Sequence, residues 1–399
     1  MVYIIVSLVI KNQYTTNEIV KQHNFAFLIP ARNEQNVIFN LIDSIVKQNY
    51  LNENITVFVL ADNCTDKTYE VASSAGAIVY KRQNKFNVGK GYALDFLIKK
   101  IDLDYGLGTF DGFFIFDADN VLDENYISEM NKLFNNGFKI LTSYRNSKNY
   151  ATNWISAGYS LWFLREAKFM NNSRMLLNTG CAISGTGFLV STDIIKENSG
   201  WPFYLLTEDI EFSICSSIKG NTIGYCENAI FYDEQPETFL LSWSQRMRWT
   251  KGFYQVFNRY GIPLIRSIFL KRSFYAFDMF MTILPGLIIT SLTMAVNIIV
   301  ILVGYVIGMY VIPIVTMFLL SLLTLYLILF TVGLITTITE WNMIHCKNIF
   351  KIIYLFTFPI FILTYIPIAI AAMFLKVDWK PIEHRHVKNL SDIRNKCNY

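Results

Sequence analysis

Asp117-Ala118-Asp119 follows the apolar run Phe113–Phe116, so two carboxylates stand two residues apart where a buried strand ends. In an extended chain, residues two apart point the same way. Carboxylates so placed repel and raise each other's pKa unless a cation lies near them. A hard cation such as Mg2+ or Mn2+ prefers oxygen ligands and bridges readily to substrate phosphates. The triplet therefore suits a metal–diphosphate site with Asp119 and Asp117 as ligands, although a solvated acidic turn capped at Asp123 would use the same residues.

Five further clusters carry possible chemistry. Asp62, within Ala61-Asp62-Asn63-Cys64-Thr65-Asp66, follows a second apolar run and could accept hydrogen bonds from a base N–H. Asp, Asn and Thr equally favour plain turns and caps. Glu34, after Pro30-Ala31-Arg32-Asn33, is open to the same two readings. Gly89-Lys90-Gly91 precedes a helical stretch, where glycines let a backbone approach phosphate and a helix N-terminus attracts anions. Its spacing is neither a Walker A nor a Rossmann pattern. Thr207-Glu208-Asp209 opens another predicted helix. Threonine caps and acids suit a first turn, but an acid beside a polar pocket could also take a proton from an acceptor hydroxyl. In Gln245-Arg246-Met247-Arg248-Trp249, arginine could stabilise a leaving diphosphate and tryptophan could stack on a sugar ring. A helix snorkelling at a membrane surface needs the same residue types.

The elements around these clusters alternate. Phe25–Ile29, Ile55–Leu60, Ile78–Tyr80 and Phe113–Phe116 read as strands. Between them, Val37, Ile38, Leu41, Ile42, Ile45 and Val46 fall on one helical face, a helix opens near Thr65–Asp66, and Lys90–Ile101 is helical. Such alternation predicts an α/β fold with a parallel sheet. Ligands bind at the carboxyl ends of strands in such sheets, which directs attention to Pro30–Glu34, Ala61–Asp66 and Asp117–Asn120. Beyond Tyr150 the pattern turns helical and aromatic, with a Gly/Ser/Thr-rich patch at Ser184–Gly187 and an amphipathic stretch over Glu237–Tyr260 that suits a membrane surface.

Composition places the chain at a membrane. Hydrophobic residues make up 53 % and charged residues 17 %, against about 25 % charged in a soluble chain. Met279–Thr339 and Ile352–Leu375 contain no Asp, Glu, Lys, Arg or His. About 20 apolar residues span a bilayer, so the first run predicts two or three spans and the second predicts one. Lys251, Arg259, Arg266, Lys271 and Arg272 precede the first run, which puts the preceding domain in the cytoplasm by the positive-inside rule. The absence of ionisable residues inside the runs argues against a transporter. The net charge of +4 calls for no nucleic-acid partner. Six cysteines without CxxC spacing predict free thiols, neither a zinc site nor a disulfide frame.

Asp62, Asp117-x-Asp119, Thr207-Glu208-Asp209, Gln245-x-x-Arg248-Trp249 and then membrane spans, in that order, resemble the processive family 2 glycosyltransferases, among them cellulose, hyaluronan and poly-N-acetylglucosamine synthases. The wording at 61–66 and in Gly89-Lys90-Gly91-Tyr92-Ala93-Leu94 is similar to a bacterial exopolysaccharide branch. The resemblance covers roughly residues 25–260 in detail. It implies a GT-A domain, a Rossmann-like nucleotide-sugar-binding fold, followed by an interfacial helix and C-terminal transmembrane helices. It also implies a UDP-sugar donor, UDP-glucose or UDP-N-acetylglucosamine, with Mg2+ or Mn2+ as cofactor. The acceptor would be a glycan or lipid-linked, and an accessory export subunit is a possible partner. By the same resemblance Pro30, Glu34 and Asp62 would hold the nucleotide, with Lys90, Asp117 and Arg248 near its sugar-diphosphate and Asp119 on the metal. Asp209 would be the general base beside Glu208, and Gly185, Thr186, Gln245 and Trp249 would shape the acceptor end.

The expected division is an apolar anchor or clipped span over 1–22, the GT-A domain over 23–236 and interfacial helices over 237–275, then a multi-pass membrane region over 276–375 and a basic, cytoplasmic tail over 376–399. Two rivals remain on the sequence alone: transfer of a single sugar to a lipid or short acceptor, and a catalytically silent subunit that only binds nucleotide.

Overall fold

The computed structural model describes residues 2–10, 21–284, 286–308, 312–377, 384 and 387–394. Part of the expected N-terminal anchor, and Asp378-Trp379-Lys380-Pro381 of the tail, lie outside the described residues.

Eight strands form one sheet: β1 (Phe25–Ala31), β2 (Ile55–Asp62), β3 (Ile78–Arg82), β4 (Gly112–Ile115), β5 (Val121–Leu122), β6 (Ile140–Ser147), β7 (Phe188–Ser191) and β8 (Ile223–Asp233), in the order β3-β2-β1-β4-β7-β6-β8-β5. The first half matches the sequence reading: β3, β2, β1 and β4 are parallel neighbours. The second half departs from it. β7 runs antiparallel to β4 and to β6, β8 lies parallel to β6, and β5 closes the edge antiparallel to β8. The sheet is therefore mixed, within the expected α/β class. β6, β7 and β8 escaped the sequence reading because they are separated by long helical and irregular segments, so no regular alternation marks them.

β1 is the central element because it is apolar on both faces, as a strand covered on both sides must be. Phe25 to Ile29 are fully buried. Phe27 stacks on Phe114 of β4 with ring centroids 4.8 Å apart, and Phe25 meets Phe114 edge-on at 5.1 Å. Pro30 sits near the strand's carboxyl end, beyond Leu28, where the β4 ladder stops, so its missing N–H costs no bond on that side. The chain passes from β1 to β2 on one side and reaches β4 on the other. That reversal opens a crevice at the strand ends.

The helix Lys90–Tyr105 lays Ala93, Leu94, Leu97, Ile98 and Ile101 against the sheet at helical spacing. Gly91 lets its first turn approach the 201–205 segment, since a Cβ there would stand 1.9 Å from the Phe203 carbonyl oxygen.

After β8 a 33-residue helix, Phe239–Lys271, runs along the base of the domain. It packs on the helices Glu208–Lys219, Phe274–Ile283 and Tyr365–Phe374. Arg246 fixes one of these contacts. Fully buried, it donates to the Phe361 carbonyl at 3.1 Å and the Thr364 hydroxyl at 2.6 Å, and stands over the Phe361 ring at 4.6 Å. The first uncharged run forms two helices, Gly286–Val306 and Ile312–Thr339. Among the described residues, Ile312–Thr339 and Asn348–Phe374 are the two helices long and apolar enough to cross a membrane. The five described cysteines are free.

Gly91→Ala is expected to lower stability by about 1–3 kcal/mol, the usual penalty for forcing an atom into a packed contact. A fall in the melting temperature of the detergent-solubilised chain, measured against wild type, checks it.

Candidate active site

The loops after β1 and β2 are locked together before they present any side chain. Asn33 and Asn63 adopt left-handed backbone conformations, φ 60° and 55°, which asparagine tolerates better than most residues. The Asn33 side chain accepts from the Thr65 N–H and that of Asn63 from the Asn84 N–H, each at 2.8 Å. Glu34 is tied in by its own N–H, which donates to the Thr68 hydroxyl at 2.8 Å.

A cavity of about 720 Å³ opens at the carboxyl ends of β1, β2 and β4. Pro30, Glu34, Asp62, Lys90, Asp117, Asp119, Gly185, Glu208, Asp209, Gln245, Arg248 and Trp249 all line it. Residues spread over more than two hundred positions of sequence thus converge on one space. Thr186 differs: it is buried behind the wall, where its hydroxyl accepts from the Asp117 N–H at 2.9 Å and donates to Asn120.

The two acids of the triplet line the same cavity but have different partners. β4 ends at Ile115 and the triplet lies in a turn, closed by the Asn120 N–H donating to the Asp117 carbonyl at 3.1 Å, so the period-two rule no longer holds there. Asp117 faces the cavity and pairs with Lys90 at 2.5 Å, while Lys90 also donates to the Gly185 carbonyl at 2.7 Å. Asp119 is buried and accepts from the Glu234 N–H at 3.0 Å. Burial alone would raise its pKa, but His384 and Lys148 beside it bring the carboxyl below its ordinary value. His384 reaches the site from the C-terminal tail, with its ring nitrogens 3.7 Å from Asp119 and 3.8 Å from both Glu34 and Glu234. The tail is held there by Arg394, which pairs with Asp123 at 2.6 Å, and by buried Ile393. His384 has no sequence signal among the spacings considered, because it lies 265 positions after Asp119.

Glu34 carries an oxygen, Oε2, that is buried without a hydrogen-bond partner. Burial pushes its pKa up to about 8; His384 opposes the rise and the neighbouring acids add to it. Asp62 is held by Arg82 at 2.7 Å, a buried ion pair supplied by the end of β3. Asp233, at the end of β8, lines the same cavity and is clasped by Arg145 of β6, whose Nε donates at 2.7 Å. Arg82, Arg145 and Asp233 were absent from the sequence reading because each works through a partner remote in the chain.

Glu208 and Asp209 begin the helix Glu208–Lys219. Burial raises both carboxyls, and repulsion from Asp209 raises Glu208 further. The backbone of Gly185 opposes the rise of Asp209. This helix is docked on Phe239–Lys271 at several points. Gly252 leaves room for Thr207, which a Cβ would meet at 2.5 Å. Gln255 accepts the Leu206 N–H at 3.2 Å, and buried Glu211 accepts from Arg259 and Tyr260, each at 2.9 Å. The docking sets the acids opposite Gln245, Arg248 and Trp249. The two arginines of that cluster separate: Arg248 lines the cavity, while Arg246 turns away toward the apolar helices. Trp249 packs edge-on to Tyr159 at 5.7 Å.

A mixed sheet with a parallel core, a switch point at β1 and an acid-lined cavity at the strand ends defines a GT-A glycosyltransferase. The chain belongs to glycosyltransferase-like family 2, whose model matches residues 23–252, more than half of the chain. It is 26 % identical over 285 residues to the beta-monoglucosyldiacylglycerol synthase of Nostoc sp., covering 68 % of this chain and 58 % of that protein. It is 24 % identical over 270 residues to the poly-beta-1,6-N-acetyl-D-glucosamine synthase of Staphylococcus epidermidis, covering 65 % of this chain and 61 % of that protein. The matches thus span about three-fifths of these relatives' length. The structure of the mannosyltransferase PcManGT from Pyrobaculum calidifontis, in complex with GDP-Man and Mn2+, is 11 % identical, with a TM-score of 0.55 and 94 % of each chain covered. That likeness shows the fold.

Two outcomes follow from the buried charges. Arg82→Met leaves Asp62 without its partner and is expected to cost about 3–5 kcal/mol, read as a lower melting temperature together with weaker UDP binding. Glu34 keeps its proton in the folded chain up to about pH 8, against an ordinary value of 4.5. The folded state therefore binds more protons between these values, and the stability present below 4.5 is lost as pH rises toward 8. Melts of the metal-free protein across that range should show the decline, and Glu34→Gln should shrink it.

Proposed function

We propose that this glycosyltransferase is anchored in a membrane by its C-terminal apolar helices and transfers the sugar of UDP-glucose or UDP-N-acetylglucosamine, with inversion, to a hydroxyl of a cell-surface glycan or a lipid. The observation that carries this is the convergence in one cavity of the acids at the ends of β1, β2 and β4 with Glu208, Asp209 and Arg248. The basic residues before the apolar helices put the catalytic domain on the cytoplasmic side.

In this reading Pro30, Glu34 and Asp62 line the nucleotide end, and Arg82 opposes the rise that burial gives the Asp62 carboxyl and holds it in place to accept from donors on the base. Lys90 and Arg248 supply positive charge for the diphosphate as negative charge develops on it. Asp209 takes the proton of the attacking hydroxyl, with Glu208 beside it raising the local affinity for protons. Gly185 orients Asp209 through its backbone, and Gln245 and Trp249 form the wall the acceptor passes. Thr186 acts at one remove by holding the Asp117 backbone.

The donor set fits a hard divalent cation. Asp119, Asp117 and Glu34 offer carboxylate oxygens, Glu34 Oε2 lacks any partner, and the His384 ring stands among them. Among the described residues no three acid, histidine or cysteine side chains already converge on one point. Donor phosphate oxygens would thus complete the coordination, as is usual for Mg2+. Bound there, Mg2+ or Mn2+ would neutralise the leaving diphosphate. Extension of an exopolysaccharide follows from the resemblance to processive synthases. Transfer to a lipid is favoured by the apolar walls that Ile283, Leu284 and Ile362 give the cavity.

UDP release by the purified chain, with Mg2+ or Mn2+ and a panel of UDP-sugars, tests the proposal. One donor should support release, and Asp209→Asn should cut turnover by about a hundred- to ten-thousand-fold. UDP binding without release from any donor, acceptors included, would favour the silent-subunit reading.

A further inference from the structure

The cavity has a second arm with a different character. There its wall carries the apolar and aromatic side chains of Trp162, Met170, Phe253, Ile283, Ile362 and Tyr365, with Glu166 beside Arg165. Ile362 and Tyr365 belong to Asn348–Phe374, one of the two helices fit to cross a membrane. Into this arm the sequence puts a cation. Arg165 lines the cavity and stands 5.0 Å from the centre of the Trp162 ring, which in turn lies 6.2 Å from that of Tyr365.

Arg165 forms no ion pair among the described residues, and its one hydrogen-bond contact is with the Met170 sulfur at 3.8 Å. A guanidinium carries five N–H donors and stays protonated, so one weak sulfur acceptor leaves most of its capacity unmet. The basic neighbours on the same segment are all satisfied: Lys168 pairs with Glu227 at 2.6 Å and Arg174 with Asp278 at 2.6 Å. Glu166, next in sequence, accepts instead from the Ser184 hydroxyl, which links it to the Gly185 turn that holds Asp209. Arg165 lies on the seam between a regular helix, Trp154–Arg165, and a π-helical turn, Glu166–Asn171. Such turns recur at functional sites. The donor diphosphate does not need this cation, because Lys90 and Arg248 serve the donor end.

Resting on the transferase reading above, we propose that the arm receives the acceptor as an amphiphile, with its apolar chain along the wall shared with the membrane helices and a phosphate group on Arg165. A guanidinium beside an aromatic wall matches phosphate bidentately, and an acceptor anchored there would enter from the bilayer with its hydroxyl directed toward Asp209.

The test uses the full chain in dodecyl maltoside micelles, which carry no phosphate, and reads intrinsic tryptophan fluorescence, since Trp162 and Trp249 line the cavity. The probes are decyl phosphate, decyl glucoside and inorganic phosphate. Decyl phosphate is expected to bind at least about tenfold more tightly than either other probe, a gap of about 1.4 kcal/mol. Arg165→Met should abolish the preference over decyl glucoside, Arg165→Lys should keep part of it, and both should elute as monodisperse protein with wild-type UDP affinity. A preference that survives Arg165→Met overturns the proposal, and equal binding of inorganic phosphate overturns its amphiphile part. Absence of UDP binding in wild type would instead remove the transferase reading, leaving the probe comparison to judge Arg165 separately.

Discussion

Carboxylates crowd the open end of the sheet, and their mutual repulsion has to be offset before the cavity can exist. Each offset comes from a different part of the chain. Arg82 at the end of β3 holds Asp62, Lys90 at the start of a helix holds Asp117, and Arg145 of β6 holds Asp233. Lys148 and the tail residue His384 flank Asp119. The compensation is incomplete by design of the packing: burial and neighbouring acids still leave Glu34 and Glu208 holding protons more firmly than free carboxylates do. A site in that condition is poised to accept a divalent cation and a cationic clamp on a diphosphate, because either relieves repulsion already present.

The same cavity is bounded on its other side by the junction with the apolar helices, which is built from close approaches and buried polar ties. Gly252 admits Thr207, Glu211 accepts from Arg259 and Tyr260, and Arg246 caps the end of the helix Asn348–Leu363 through the Phe361 carbonyl. One continuous helix, Phe239–Lys271, therefore contacts both the segment carrying Asp209 and Asn348–Phe374, one of the two helices fit to cross a membrane.

Family membership and the mechanism rest on different observations. The matched model and the fold make the chain a family 2 glycosyltransferase. The proposed sugar rests on the resemblance to the family's synthases, and the proposed role of each acid rests on the cavity's geometry and charge. The relatives named above are synthases of a glycolipid and of a polysaccharide respectively, and the cavity of this chain carries both a tryptophan, Trp249, and apolar residues such as Ile283 and Ile362.

The sequence by itself determined the elements whose period or composition is local. The four strands that lead to Pro30, Asp62, Arg82 and Asp117, the helices beginning at Lys90 and Glu208, and the uncharged runs could all be read directly, because apolar patterning acts over a few residues at a time. Most of the candidate cavity was legible for the same reason: acids at strand ends stay at strand ends when the sheet forms. Tertiary structure alone decided the rest. It put the triplet in a turn past the last pleat of β4, with Asp117 paired to Lys90 and Asp119 buried beside His384. It also put Thr186 behind the wall. It brought in Arg145, Asp233, His384 and Arg165, whose significance is a charge met or left unmet by a partner remote in the chain. Local pattern reports which face of an element is buried; only the assembled sheet and helices determine which buried charges find a counter-ion.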